Sequence, residues 1–591
     1  MKWVIDSLLA LLCTLFLPFL IGEQGETGLL YPAAFAVLTA LFHSTHWRGS
    51  NRRRVLFSHL AGAVFAVLLA FGAHLEKQGA VPYESLAMWL AIACYAHVLG
   101  QALSLLWSAL DGQKPLQNQL TAVLDRFLCK PWLVAMVMLL CWLPCYLSTY
   151  PGNFVYDATK EFSQLEKGFM GDFPQLHSWL ITSLLKWSHE NTGGYNAGIA
   201  VFTISQMAVL AAMFSHMVWA FRRQGVSPVV NAVAVLWWAA FPAVHVLVTS
   251  TVRDVLFSGL LTYSVFLLWC ICRERKRFLQ SWWRPVGAAL VLVLTVFSRN
   301  NNSGPVMPVA LCAVGAVLFL VGGRRGWKGA LAFSAAALAS FFLLQNGLDF
   351  LCPIVSRPSV NASMTVYSQS LARAYALEGE TWSAGEKLSM VRHFDLDRLR
   401  YVPENGDASK GRLRLDSEEE AAEFMEFWRL MGKRYPRYYA DAILLNTRAM
   451  WYPGAVMRGY QQAGVGMYKE YEKCWFFFAD SIEEPGVLES KLPKVHDWYR
   501  DLSLNISFEK IPVAGLLFSV GFHFWLLLHC VFYSLYRKRR QVYLPLLLLV
   551  VYTLASAFVP LMLLRYFAAL IFAFPLVMVF TLQHHQKQTE N

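Results

Sequence analysis

Residues 150–177 form one charged stretch with the residue types that acid–base chemistry requires. Six charged side chains stand between two apolar runs here: Asp157, Lys160, Glu161, Glu166, Lys167 and Asp172. Asp157 comes first, where the chain leaves the preceding apolar run. A carboxylate in such a position is a candidate general base, which takes the proton of an attacking group. The other five charges are interpreted as the solvated face of an interfacial helix.

Further ionisable residues fall at the ends of other apolar runs. They are Arg253 and Asp254 in TSTVRDVLFSG, Arg299 in TVFSRNNNSGP, Arg565 in LMLLRYFAAL, and His177 after the charged stretch. Charges at membrane depth are costly and usually mark function. Since guanidinium groups bind phosphate oxygens in a bidentate manner, the sequence predicts a binding site for an anionic ligand beside Asp157.

Each of these residues also has an ordinary structural interpretation. Arg565 can extend its charge to lipid head groups along an apolar stem. Arg253 and Asp254 can pair with each other, and Arg299 can belong to a polar loop. His177 can be an interfacial histidine without a special role. What favours a site is that all of them are predicted on the same side of a membrane.

The composition of the chain indicates which kind of secondary structure holds these residues. The chain has 591 residues, of which 56% are hydrophobic and 15% charged, with a mean hydropathy of +0.40. Soluble proteins carry about 25% charged residues. Apolar runs near the roughly 20 residues that cross a bilayer recur along the chain. The sequence therefore predicts an all-α polytopic membrane protein.

The distribution of the net charge of +12 excludes nucleic acid as a partner. Basic residues cluster in short loops between apolar runs, which is typical of cytoplasmic loops. These clusters are at 52–54, 222–223, 273–277, 324–328 and 537–540. With them inside, both termini are predicted in the cytoplasm and the 150–177 stretch outside, in a protein of the cytoplasmic membrane.

About fourteen membrane-spanning helices are predicted. They lie at 3–22, 28–45, 55–75, 85–109, 131–149, 196–221, 228–250, 255–272, 284–299, 305–322, 329–347, 512–536, 541–563 and 566–582. The first is interpreted as a retained span rather than a cleaved signal peptide. Residues 176–187 are apolar but too short to cross, and are predicted to form a half-inserted or interfacial helix.

Four regions follow from this pattern. Residues 1–130 hold the first spans, 131–348 the transmembrane core with the 150–177 loop, 349–510 a polar insertion predicted as a mainly helical extracytoplasmic domain, and 511–591 the last spans and a cytoplasmic tail. Within the insertion, residues 417–431 predict a helix with an acidic first turn. Cys352 and Cys474 both fall there, either bonded or as two free thiols. No cysteine pair has metal-ligand spacing.

The chain resembles a known group of enzymes. The motifs that carry the resemblance, in order, are YPGNFVYDATKEF, FPQLHSWL, TVRDVLFS, FSRNNNSGP, YSQSLARAYA, YVPENGDASKG, WRLMGKRYPRYYADAILLNTRAMWYPG and LRYFAALIFAFP. They look like the GT-C superfamily of membrane glycosyltransferases, and more closely like a poorly characterised bacterial group assigned to it. The resemblance covers residues from about 150 to the C-terminus, whereas the first four spans have no counterpart in a minimal GT-C core.

The resemblance implies a function and roles for the residues above. A sugar would pass, with inversion, from a polyprenyl-phosphate donor to a glycan, lipid or protein acceptor of the cell envelope. Asp157 would be the catalytic base, Arg299 and Arg565 would bind the carrier phosphate, and Arg253, Asp254 and His177 would complete the substrate site. Two departures stand out. Pro174 and His177 are separated where many GT-C enzymes have an acidic pair or a His-Pro dipeptide, and Arg253 stands where relatives often have Lys.

The remaining expectations concern cofactors and alternatives. No organic cofactor is implied, and dependence on a divalent metal stays open. Membrane lipids are expected partners. A transporter or flippase of lipid-linked glycans and a non-catalytic scaffold for envelope assembly are the alternatives. One outward cavity shared by Asp157, Arg299 and Arg565 would favour the enzyme, a path through the membrane would favour transport, and dispersed charges would favour the scaffold.

Overall fold

The computed structural model describes residues 2–22, 30–46, 51–112, 119–156, 158–170, 173–274, 276–299, 306–352, 355–356, 360–455, 482–504, 511 and 513–583. Within these ranges the chain is almost entirely helical. The exception is a two-residue parallel pair, β1 (Phe169–Met170) with β2 (Val355–Ser356). The predicted all-α fold is confirmed.

Four long helices open the chain: α1 (Lys2–Ile21), α2 (Leu30–His46), α3 (Arg52–Gln78) and α4 (Leu86–Gly112). Helices α3 and α4 approach each other closely through small residues. A Cβ at Gly62 would lie only 2.5 Å from the Ala96 carbonyl oxygen and 2.5 Å from the Gly100 nitrogen. Small residues at a helix crossing allow such backbone contact, which stabilises helix pairs in lipid.

The central bundle is built from the next helices and the last one. They are α5 (Gln119–Leu128), α6 (Pro131–Ser148), α7 (Ala158–Glu166), α8 (Gln175–Thr192), α9 (Asn196–Arg223), α10 (Pro228–Ala240), α11 (Pro242–Val248), α12 (Arg253–Glu274) and α24 (Ala568–Leu582). Buried aromatic side chains such as Trp142, Phe214 and Trp238 fill the space between them. Helix α24 lies in the middle of the bundle, where 78% of the apolar stretch within Leu564–Leu582 is buried.

The predicted span at 228–250 is broken rather than straight. Pro242 has no backbone N–H and interrupts the helical hydrogen bonding. Helices α10 and α11 are bent by 57° relative to each other. The predicted half-helix at 176–187 is longer than expected. It is α8, which runs to Thr192 and ends at Gly193, whose φ of 73° places it in the left-handed region.

The next segment packs on the side of the bundle: α13 (Lys276–Gln280), α14 (Trp283–Phe297) and α15 (Val306–Leu351). All residues of α15 are helical, but the two halves of this segment pack against each other. Gly315 packs directly against Ser334, although a straight helix would hold these residues about 28 Å apart at 1.5 Å per residue. The fold-back agrees with the two separate spans predicted at 305–322 and 329–347.

The polar insertion forms helices around a second hydrophobic core. Its helices are α16 (Thr365–Glu378), α17 (Ala384–His393), α18 (Gly406–Lys410), α19 (Glu418–Arg434), α20 (Pro436–Trp451) and α21 (Pro493–Leu504). The last of these, α21, lies outside the second core and contributes Tyr499 and Leu502 to the core of the central bundle. Phe394, Phe424 and Met431 are fully buried in that core. Helix α19 confirms the helix predicted at 417–431: Ser417 caps it by accepting a hydrogen bond from the Glu420 amide, as its type and position favour.

Helices α22 (Val520–Arg537) and α23 (Arg540–Ala555) precede α24 and complete the chain. Among the described residues, nine helices are long and apolar enough to cross a membrane, or ten with the bent pair α10–α11. The chain therefore has the architecture of a multi-pass membrane protein. The predicted number of fourteen spans is not confirmed, in part because apolar segments such as Trp283–Phe297 fall short of the roughly 20 residues that cross a bilayer.

The predicted basic loops lie together at one end of the bundle, called here the basic end. The Arg53 Nη2 donates to the Leu535 carbonyl over 2.6 Å, and the Arg273 Nη2 donates to the Gln224 carbonyl over 2.8 Å. Helix α12 runs from Arg253 to Glu274, about 33 Å at 1.5 Å per residue. Its first residues therefore lie at the opposite end, called here the site end.

Candidate active site at the site end of the bundle

A buried carboxylate lies at the centre of the site end. Asp254, in the first turn of α12, is 1% exposed. Its Oδ1 accepts a hydrogen bond from the Arg299 Nη1, and its Oδ2 lies 4.0 Å from the Arg565 Nε. Buried charges persist only where they are paired. Asp254 thus joins two arginines that are far apart in sequence, and it does not pair with its neighbour Arg253 as one interpretation had it.

Arg565 is held by aromatic rings as well as by charge. Its guanidinium lies 4.9 Å from the ring centre of Tyr156 and 4.7 Å from that of Tyr566. Its Nη2 also donates to the Tyr566 hydroxyl over 2.7 Å. Arg565 is only 8% exposed. These contacts exclude the interpretation that it extends to lipid head groups, because its charged end points into the protein.

The loop before α7 is attached to the linker between α11 and α12. The Asn153 amide donates to the Thr249 carbonyl over 3.0 Å, and the Thr251 amide donates to the Asn153 carbonyl over 3.0 Å. This short parallel bridge sets the loop beside the start of α12. At its end Tyr156 has a φ of 55°, a left-handed conformation that costs a non-glycine residue roughly 1–2 kcal/mol and that recurs at functional sites.

Glu161 and His177 form a buried charged pair behind this loop. The His177 Nδ1 donates to the Glu161 Oε1 over 2.8 Å, and its Nε2 donates to the Thr251 carbonyl over 2.9 Å. Both ring nitrogens of His177 are therefore engaged by protein groups. The Ser178 hydroxyl donates to the same Glu161 oxygen. Glu161 is therefore an anchored carboxylate, and its assignment to a solvated helix face was wrong.

The pKa of Glu161 reflects this environment. Burial acts to raise the pKa of its carboxyl, but the charge of His177 and the hydrogen bonds from His177 and Ser178 outweigh burial, with a smaller contribution from Arg253. The pKa consequently lies below its ordinary value of 4.5. A carboxylate that accepts several charge-assisted hydrogen bonds stays ionised even when buried.

Phe173 lies between two further cations. The Arg253 guanidinium lies 4.9 Å from its ring centre, and the Lys160 Nζ lies 5.7 Å from it. Cation–π contacts of this length hold a charge near a ring without neutralising it. The site end thus carries positive charge on Arg253 and Lys160 in addition to the two arginines at Asp254.

These groups surround a narrow cleft. It is lined by residues of the loop, α7, α8, the start of α12 and the segment before α24, among them Tyr156, Ala158, Glu161, Arg253 and Arg565. It has about 10 Å³ of free space, roughly enough for one water molecule. The charged residues among its described lining are Arg253, Arg565 and Glu161, and guanidinium groups such as the first two can bind an anion.

The structure brings most of the predicted site residues together. Arg253, Asp254, Arg299 and Arg565 come from three distant segments and meet at the site end. Asp157 lies outside the described residues, and so does Cys474, whose pairing with Cys352 was left open. The two chain neighbours of Asp157, namely Tyr156 and Ala158, line the cleft.

His177 has a different position from the predicted one. It is 4% exposed, does not line the cleft, and directs both ring nitrogens to protein groups. It therefore positions Glu161 and the linker before α12 rather than facing a ligand directly.

Sequence reasoning missed Tyr156, Glu161, Phe173 and Tyr566. A signal was present for Glu161 alone. Ala158, Glu161 and Phe162 recur at helical spacing and share the buried face of α7, so an acid was embedded in the apolar stripe of a short helix. The two tyrosines and Phe173 had no signal, since aromatic residues are frequent throughout this chain.

Within the described ranges no three His, Cys, Asp or Glu side chains are close enough together to hold a metal ion. The observed groups offer anion binding and acid–base chemistry.

Comparison with known proteins gives one family. The profile of DUF6020, described as a family of unknown function, matches residues 172–591, more than half of the chain. The chain belongs to the DUF6020 family. His177, Arg253, Asp254, Arg299 and Arg565 lie inside the DUF6020 match, whereas Tyr156, Asp157 and Glu161 precede it. No curated protein and no solved structure matches the chain.

Proposed function

We propose that this protein is a GT-C-type membrane glycosyltransferase that moves a sugar from a polyprenyl-phosphate donor to an acceptor of the cell envelope. The observation that carries the proposal is a cleft lined by Arg253, Arg565 and both neighbours of Asp157, with Arg299 joined to Arg565 through Asp254. The cleft lies at the end of the bundle opposite the basic loops. A lipid-linked donor requires such a place, where a head group leaves the bilayer.

The reaction is a single displacement at the anomeric carbon. Asp157 takes the proton of the acceptor hydroxyl while the acceptor oxygen forms a bond to that carbon. The bond from the same carbon to the phosphate oxygen breaks, and the electron pair leaves with the phosphate. Attack from the opposite side inverts the anomeric centre, so Asp157 is the general base and the sugar is never bonded to the protein.

The arginines stabilise the leaving group. Arg299 and Arg565 are held in place before the donor arrives, by Asp254 and by the rings of Tyr156 and Tyr566. Preorganised donors stabilise developing charge without reorganising during the reaction. Asp254 is a positioning residue in this scheme, because it orients both guanidinium groups without touching the sugar.

The narrow width of the cleft has a consequence for the reaction. Free space for about one water molecule does not hold a sugar phosphate, so the cleft must widen when the donor enters. Closure over a bound substrate excludes water and strengthens the electrostatic contacts within the site.

The test is Asp157→Asn in the full chain, purified in lipid nanodiscs and supplied with a panel of polyprenyl-phosphate sugars and envelope acceptors. Loss of the general base should lower the transfer rate about 10²–10⁴-fold, with unchanged thermal unfolding and donor binding. The matched control is Glu166→Gln, an exposed acid of the same loop, which should transfer at the wild-type rate. Wild-type transfer by Asp157→Asn would refute the assignment.

One observation favours a second candidate, a transporter or flippase of lipid-linked glycans. Transporters often contain broken helices, and the α10–α11 pair is bent by 57°. The same nanodisc preparation distinguishes the two. A flippase would move a fluorescent polyprenyl-phosphate sugar between leaflets without an acceptor, whereas a transferase would consume it only when an acceptor is present.

A further inference from the structure

A much larger cavity opens at the basic end, and its lining on α12 begins at Ser264, about 15 Å along the helix from Asp254. Its volume is about 2320 Å³, beyond the roughly 300–1,000 Å³ typical of sites for small ligands. The second half of α12, α14, α15 and α23 form its walls, and the end of α9 with α13 forms its rim. The residues of the proposed transfer site do not line it.

The walls of the cavity are apolar and accessible. On α15 and α23 they include side chains that are about half exposed although they lie within helices of the bundle: Val314, Val317, Leu544, Leu547 and Val551. In water such a surface would be a liability. In a membrane it is a surface on which hydrocarbon chains pack.

The rim of the cavity is strongly basic. Six lining residues are arginines: Arg222, Arg223, Arg273, Arg277, Arg284 and Arg540. Glu274 is the one carboxylate among the described lining residues, and it accepts from the Arg284 Nη1 over 2.5 Å. Arg222 pairs with Asp125 over 2.7 Å. Arg277 and Arg540 are exposed at the rim, where they add positive charge next to the apolar walls.

The dimensions match one leaflet of a bilayer. From Arg540 at the rim to Val551 on the wall, the cavity extends along α23 by about 16 Å at 1.5 Å per residue, close to half of the roughly 30 Å hydrocarbon thickness. Trp283 lies at the rim and is exposed. Exposed tryptophans favour the membrane–water interface, which places the arginines at the depth of lipid head groups.

We propose that this cavity binds an anionic phospholipid from the leaflet at the basic end. The head-group phosphate pairs with rim arginines such as Arg277 and Arg540, and the acyl chains lie along α15 and α23. Charge complementarity selects an anionic over a zwitterionic head group, since a compensating ammonium group would face the same arginines. This site is separate from the proposed transfer reaction and does not depend on it.

The test uses the delipidated full chain in detergent and native mass spectrometry with dioleoyl phosphatidylglycerol and dioleoyl phosphatidylcholine, which share their tails. Wild-type protein should retain phosphatidylglycerol preferentially. The double variant Arg277→Ala/Arg540→Ala should bind it about fivefold more weakly for each arginine removed, the effect of one basic residue near an anionic lipid surface. Arg52→Ala, an exposed arginine of the same end that does not line the cavity, should bind as wild type does.

A second variant tests the tails. Leu547→Trp fills the cavity from an exposed wall position, so it should lower retention of both lipids with little effect on folding. Leu554→Trp, at an exposed position on α23 that is outside the cavity lining, is the control. Equal retention of the two lipids by wild type, or wild-type binding by the double arginine variant, would overturn the proposal. So would displacement of the lipid by glycerol phosphate, which has no tails.

Discussion

At the level of single residues, the candidate site depends on side chains that hold each other in place. Asp254 is nearly inaccessible and pairs with Arg299, while Arg565 is flanked by two tyrosine rings. Breaking a buried charged pair is more damaging than its net stabilisation suggests, because the remaining charge has no partner. The same pairs that orient the arginines therefore also stabilise the fold locally.

The role of Arg565 gives a prediction about the rate of transfer. Removal of one preorganised donor raises the barrier by about 2.7–4 kcal/mol, so Arg565→Ala should transfer about 10²–10³-fold more slowly. Arg565→Lys should restore little, since lysine does not provide the planar bidentate group. Initial rates at saturating donor measure the effect. Arg398→Ala, an exposed arginine of the insertion, is the control; an equal loss there would mean that the effect is non-specific.

The buried pair of Glu161 and His177 predicts a dependence of stability on pH. The pKa of Glu161 is lower in the folded state than its ordinary value of 4.5. The ionised carboxylate therefore stabilises the fold above that value, and its contribution disappears as the pH falls through the folded-state pKa. His177 and Arg253 are the charged groups that face the Glu161 carboxylate.

Thermal unfolding of wild type and Glu161→Gln measures this effect. The wild type should be more stable near neutral pH, and the difference in Tm should shrink as the pH is lowered below about 4.5. The exposed Glu166→Gln should show no such convergence. A difference between wild type and Glu161→Gln that is the same at all pH values would show that the charge of Glu161 is not what stabilises the fold.

At the level of elements, two prolines interrupt helices of the central bundle, and tryptophans complete the hydrogen bonding. Pro242 and Pro575 cannot donate to the carbonyls four residues earlier, which are those of Trp238 and Ile571. The Trp142 Nε1 donates to the Trp238 carbonyl over 2.8 Å, and the Trp237 Nε1 donates to the Ile571 carbonyl over 2.9 Å. Side chains that satisfy such carbonyls allow broken helices in a membrane.

The hydrogen bond from Trp142 to the Trp238 carbonyl gives a prediction about stability. Trp142→Phe replaces the indole by a smaller phenyl ring, so the buried Trp238 carbonyl loses its donor at a cost of about 1–3 kcal/mol, and the lost volume of this buried side chain adds to that cost. Chemical or thermal unfolding in the same detergent measures the loss. The control is Trp132→Phe, at an exposed position of the same helix α6, where no change is expected. Equal stability of both variants would contradict the role of the indole.

At the level of the whole molecule, the insertion is attached to the bundle at several places around the site. Its Glu483 carboxylate accepts from the Thr159 amide at the start of α7 over 2.9 Å, and its Gly406 amide donates to the Pro560 carbonyl over 2.7 Å, shortly before Arg565. The insertion thus fixes both the loop next to Asp157 and the segment that carries Arg565. The insertion is therefore attached to segments next to the site, although none of its described residues lines the cleft.

The strongest electrostatic attachment is a buried group of three charges. Arg448 on α20 is 5% exposed, lies 3.0 Å from the Glu76 carboxylate on α3, and bonds the Glu404 carboxylate of the insertion. Arg448→Met should destabilise the protein by about 3–5 kcal/mol, because it removes the one cation that both carboxylates share in this buried group. Thermal unfolding and limited proteolysis of the insertion would report it.

An exposed ion pair in the same insertion provides the control. Arg392 and Glu423 lie 2.8 Å apart with side chains 63% and 48% exposed, so Arg392→Ala should cost at most about 1 kcal/mol. Similar losses for Arg448→Met and Arg392→Ala would contradict a special role for the buried group. A release of the insertion to proteases in Arg448→Met alone would support it.

Much of the architecture was predictable from the sequence, because hydrocarbon imposes one simple rule. Every backbone group in the bilayer must be bonded within its own segment, so long apolar runs are helices. The multi-pass helical fold, the helical insertion and the start of α19 at Ser417 followed from such local patterns. The number of spans did not, since short apolar helices such as α14 and the bend at Pro242 depend on how neighbouring helices pack.

For the site, the sequence alone determined which charges lie at helix ends, and hence that Arg253, Asp254, Arg299 and Arg565 share one end of the bundle. The pairing of these side chains became known from the three-dimensional packing: Asp254 pairs with Arg299 and Arg565, and Glu161 pairs with His177. Asp254 and Arg565 lie more than three hundred positions apart in the chain, and no local pattern encodes their distance. Spacing along a helix predicts which face a side chain occupies, whereas pairing across helices depends on packing of the whole bundle.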